Sequence, residues 1–168
     1  MSETKKEELM TTASSFVNGT KGELIYRGYD IRDLGPNATF EEVIYLLWND
    51  KLPNELELSH FKVALESKRA LPDLLLNTLR GFPSHAHPMA VLRTTVSALG
   101  LLDRDADDIT PDGAREKALL LTAIMPTLVA AWERIRNGHA PIPRGTRRMS
   151  ISDTLPGGHE GRHNGRPQ

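Results

Sequence analysis

His85 and His87, separated by one residue, are the first side chains that suggest chemistry, because imidazole pairs bind transition metals. Their spacing argues against it. Residues two apart point to opposite sides of a strand and do not share a helix face, and no third ligand of useful spacing is near. A helix-entry segment is the expectation there. Asp103, Asp105, Asp107 and Asp108 form an acidic cluster that invites calcium, but the run lacks the glycine and terminal glutamate of the helix–loop–helix calcium pattern. It reads as a solvated connector. Arg27, placed between a β-favouring run and Gly28, has the chemistry to meet a phosphate; a surface or ion-paired arginine is the expected role. Arg144, Arg147, Arg148, Arg162 and Arg166 suggest RNA, yet no aromatic residues are interleaved with them for base stacking.

Composition narrows the remaining chemistry. The chain has 168 residues, enough for one compact domain of ordinary size. Twenty-one basic residues balance 22 acidic ones, for a formal net charge of −1, so no global basic field points to nucleic acid. The balance is uneven: residues 144–168 carry five arginines against one aspartate and one glutamate. There is no cysteine, which removes disulfides, thiolate zinc sites and cysteine nucleophiles. No glycine-rich phosphate loop or serine nucleophile elbow is present. The first eight residues are charged rather than apolar, unlike a signal peptide. The longest apolar stretch, Ala118 to Trp132, is interrupted by Thr122, Pro126 and Thr127, and no membrane span is expected. A soluble, cytoplasmic protein is the expectation.

The elements that would position any site are mainly helical. Residues 14–29 predict a small hairpin, with Asn18-Gly19 as its tight primed turn and Phe16-Val17 and Leu24-Ile25-Tyr26 as its flanks. Asp30 to Leu34 predicts one short helical turn ended by Gly35-Pro36. Thr39 with Glu42 has capping-box spacing ahead of Val43, Ile44, Leu46, Leu47 and Trp48. Asn54 caps a next helix, with Leu56, Phe61, Val63 and Leu65 as its candidate buried positions. Leu74, Leu75, Leu76 and Leu79 mark a helix stopped by Gly81 and Pro83, and Pro88 opens another that runs to Gly100. The last and longest helix spans about Asp112 to Asn137 and ends at Gly138, with Pro126 inside it. Its apolar residues, from Ala118 through Leu128 to Ile135, spread over most of the circumference. Such a helix needs cover on several sides, so self-association through residues 112–137 is expected. Residues 144–168 contain only Met149, Ile151 and Leu155 as apolar residues, and predict a disordered Arg/Gly-rich tail.

The run Lys21-Gly-Glu-Leu-Ile-Tyr-Arg-Gly-Tyr-Asp-Ile31 resembles the amino-terminal signature of the citrate synthase family. Phe40-Glu-Glu-Val-Ile-Tyr-Leu-Leu-Trp48, Leu52-Pro53, Arg80-Gly-Phe-Pro83, His87-Pro-Met89, Leu92-Arg93 and Ala140-Pro-Ile-Pro143 continue the resemblance in order across residues 13–143. It is strongest to bacterial and archaeal citrate and 2-methylcitrate synthases. The resemblance implies a mainly α fold, here a multi-helical large-domain portion with a small N-terminal β-hairpin. It further implies a two-domain dimer that condenses acetyl-CoA with oxaloacetate and releases CoA, a step of the tricarboxylic acid cycle. A carboxylate would take the methyl proton, histidines would stabilise the enolate and polarise the ketone, and arginines would hold the dicarboxylate. No metal or tightly bound cofactor is implied.

The resemblance places the family's catalytic residues downstream of the matched stretch. No position of this sequence is therefore assigned as catalytic, cofactor-binding or metal-binding, and His159 and His163 lie in surroundings unlike the family's histidine motifs. The expected organisation is residues 1–143 as the N-terminal part of a synthase-like helical domain, with 144–168 unlike the family. The expectation is a reading frame truncated or shifted after about residue 143, from the tail's Arg/Gly/Pro/His composition, with a short paralogue carrying its own tail as the alternative. The competing reading is a non-catalytic helical dimerisation module; a basic-tailed nucleic-acid binder is the weakest.

Overall fold

The computed structural model describes Thr12 and residues 14–141, and within these the chain is mainly helical, with one small antiparallel sheet. The tail 144–168, with its arginines, His159 and His163, lies outside the described residues. The chain divides between Phe61 and Lys62 into two compact units.

In the first unit, strands β1 (Ser15–Asn18), β2 (Glu23–Tyr26) and β3 (Tyr29–Asp30) form a sheet in the order β1-β2-β3. The primed turn is not at Asn18-Gly19. Asn18 still pairs with Glu23, and residues 19–22 close that hairpin as a longer loop. Asn18 Oδ1 accepts the Lys21 N–H at 3.2 Å, and Gly22 supplies a positive φ of 66°. The two-residue turn comes one hairpin later. Tyr26 pairs with Tyr29, and Arg27 (φ 46°) and Gly28 (φ 87°) between them are both left-handed, as a type I′ turn requires. Asn-Gly is the favoured dipeptide for that geometry, but an arginine held from elsewhere has taken the first position.

Asp30 then caps helix α1 (Ile31–Asn37), its carboxylate accepting the Arg32 N–H at 2.8 Å. Contrary to expectation, α1 runs through Gly35-Pro36. The proline forfeits one bond, and Ala38 N–H closes the end onto Leu34 O at 2.8 Å. α1 packs on β2 and β3, with Leu34 buried. Helix α2 (Phe40–Asn49) starts with the expected capping box: Glu42 N–H donates to Thr39 Oγ1, and Thr39 N–H donates to the Glu42 carboxylate at 2.7 Å. Glu41 and Ile44, three apart, are buried, whereas Phe40 stays exposed. Tyr45 and Trp48 meet the Phe61 ring edge-on, with centroids 5.5 and 5.7 Å away.

Helix α3 (Glu55–Lys68) is capped reciprocally by Asn54 and Glu57, each side chain accepting the other's N–H at 2.9 Å. Of its four expected core residues, Phe61 and Leu65 are buried, but Leu56 and Val63 are exposed. Leu58, Phe61 and Leu65 recur three and four apart on one face; Leu56 and Val63, seven apart, share the other.

In the second unit, helices α4 (Asp73–Gly81), α5 (Pro88–Gly100) and α6 (Pro111–Arg136) pack against one another. Leu71, Leu75, Leu79, Val91, Leu99, Ile124, Leu128, Ala131 and Trp132 form their shared core. Lys68 at the end of α3 reaches Glu116 of α6 at 3.2 Å.

Candidate functional site

His87 serves at a helix entrance. Pro88 at the first helical position leaves His87 as the N-cap of α5, and its Nδ1 accepts the Met89 N–H at 3.2 Å. His85 is exposed in the turn before it. Among the described residues, no group of three or more His, Asp or Glu side chains is placed to hold a metal ion.

The acidic connector binds its own backbone. Asp103 accepts the Asp105 N–H at 3.0 Å. Asp108 accepts the Thr110 N–H at 2.9 Å, and Thr110 caps α6 by accepting the Gly113 N–H at 3.2 Å. The bond from the Thr110 backbone, helped by the Thr110 hydroxyl and the Lys117 charge, holds the Asp108 carboxyl below its ordinary pKa. Lys117 Nζ also donates to Asp108 O at 2.6 Å. The Asp108 carboxylate occupies the space that a Cβ on Gly113 would need.

Arg27 is anchored on helix α2. Its Nη2 donates to Leu47 O at 3.2 Å, and its Nε lies 2.8 Å from Asp50 Oδ1. That second contact is an ion pair and not an aligned hydrogen bond, since Nε is buried without a partner of hydrogen-bonding geometry. The guanidinium thus sits at the C-terminal end of α2, where the helix dipole favours a cation. The ion-paired reading of Arg27 holds.

The signature-like run from Lys21 to Ile31 is thereby explained as local architecture. Gly22 and Gly28 supply positive φ, Arg27 ties the sheet to α2, and Asp30 caps α1. Arg32 donates side-chain hydrogen bonds to Asp30 at 3.0 and 2.6 Å. These, followed by the Arg32 backbone N–H, lower the Asp30 pKa from 3.8 to about 2.

By length and composition helix α6 is apolar enough to cross a membrane, because threonine and proline interrupt the run without making it polar. Six of its residues, Ala123, Ile124, Leu128, Ala130, Ala131 and Trp132, are buried, and four of these, Ile124, Leu128, Ala131 and Trp132, belong to the core of the second unit. Leu128, at 1% exposure, therefore belongs to the interior of the chain and is no probe of association. The large apolar residues left exposed on α6 are Leu121 and Val129, each at 38%, in one stripe with half-buried Met125 at spacings of four.

The comparisons with known proteins agree with this scaffold. The family described as "Citrate synthase, C-terminal domain" matches residues 4–155, which is most of the chain and reaches past Pro143. The chain belongs to the citrate synthase family. Within that family, citrate synthase 2 of Bacillus subtilis is 44% identical over 81% of this chain and 37% of its own length. A 2-methylcitrate synthase of Mycobacterium tuberculosis is 40% identical over 79% of this chain and 33% of its own. The solved citrate synthase of Pyrobaculum aerophilum superposes with a TM-score of 0.73 at 31% identity, covering 80% of this chain and 36% of that one. The chain thus spans about a third of the length of the curated relatives it matches.

Sequence reasoning passed over Glu41, because a hydrophobic pattern does not mark a carboxylate as a core position. The signal available was its spacing three residues before Ile44. His60, His85, His87 and His139 are all exposed.

Proposed function

We propose that this chain is the amino-terminal scaffold of a citrate synthase-type acyltransferase. The complete subunit would condense acetyl-CoA with oxaloacetate to give citrate and CoA, in the cytoplasm and as a dimer. The observation that carries this reading is the family match over residues 4–155, supported by the superposition at a TM-score of 0.73. In this reading the chain contributes framework, and the groups that enolise the thioester and clamp the dicarboxylate come from elsewhere in the complete subunit. Positioning an acid, a base and a charged clamp together is what makes such a condensation fast.

The test is CoA release from acetyl-CoA plus oxaloacetate, with propionyl-CoA in a parallel arm, followed with a thiol reagent. The chain has no cysteine to give background. The expected result is no turnover by the homogeneous chain alone, and turnover by a polypeptide in which the same residues are joined to a complete synthase sequence. Turnover by the chain alone overturns the scaffold role, and inactivity of the complete polypeptide overturns the assigned reaction.

A non-catalytic dimerisation module is the second reading, favoured by the exposed stripe of Leu121 and Val129 on α6. It differs in requiring association and no chemistry from the complete polypeptide.

A further inference from the structure

We draw no further inference here: the strongest candidate, the exposed apolar side chains of Leu101 (87%) and Ile109 (92%) on the connector between α5 and α6, has nothing in the structure to show what covers it.

Discussion

Arg27 and Asp50 are the two non-glycine residues with positive φ among the described residues, and they pair with each other across 2.8 Å. Each ends an element: Arg27 sits in the turn after β2, and Asp50 is the left-handed C-cap of α2. Two unfavourable backbone conformations are thus joined by one side-chain contact, and the Arg27 bond to Leu47 O reinforces it.

Replacing Arg27 by alanine should destabilise the chain by about 1 kcal/mol, since a part-exposed ion pair and one charge-assisted hydrogen bond are lost. Asp50→Gly should be nearly neutral, because glycine relieves the left-handed backbone as the pair is broken. Denaturant unfolding of the two variants checks this; equal losses would show that the ion pair, not the bond to the helix end, anchors the turn.

Acid should act on Asp30. Its carboxyl is bound more tightly as an anion in the folded chain, so its contribution is complete above its ordinary pKa of 3.8 and is lost as pH falls through about 2. Asp30→Asn keeps an acceptor for the Arg32 N–H but has no proton to gain in that range. Unfolding midpoints measured from about pH 5 to about pH 2 should separate at the upper end and converge at the lower. Parallel curves would remove Asp30 from the account of acid stability.

Association and folding should separate on α6. Leu128→Ala should cost about 2–5 kcal/mol, as for other buried leucines, and should lower the unfolding midpoint. The double variant Leu121→Asp/Val129→Asp should keep the midpoint and shift sedimentation toward the monomer. A double variant that sediments like the wild-type dimer excludes this stripe as the contact surface, and a wild type that is already monomeric excludes the dimer itself.

Much of the helical order was legible because helix ends announce themselves chemically. Thr39 with Glu42, Asn54, Pro88 and Gly138 mark ends that the structure places where the residue types require. Asn18-Gly19 misled because its geometry is also served by Arg27-Gly28, and only the distant Leu47 carbonyl and Asp50 carboxylate make an arginine acceptable there. Leu56 and Val63 misled because apolarity alone does not say which helix face turns inward. On α6 the apolar circumference does not say which residues face the chain's own core: Leu128 lies in the core shared with α4 and α5, and Leu121 and Val129 stay exposed. Of the candidate site residues, the local roles of His87 and the aspartates were within reach of sequence, since caps and turns involve near neighbours; the Arg27 anchorage spans 20 residues and was not.

The carboxylate of Asp108 lying where Gly113 has no side chain makes the two positions epistatic. Elsewhere in a helix, exchanging glycine for alanine gains about 1 kcal/mol. Here the added methyl has to push away a group that is holding the Thr110 amide, so the sign of Gly113→Ala should depend on what stands at 108: harmful beside aspartate, beneficial once Asp108→Gly has emptied the space. A double-mutant cycle by thermal unfolding reads that reversal directly, and strict additivity would mean the aspartate swings aside at no cost. Drift at position 113 is therefore conditional on the history of position 108, five residues away along the chain.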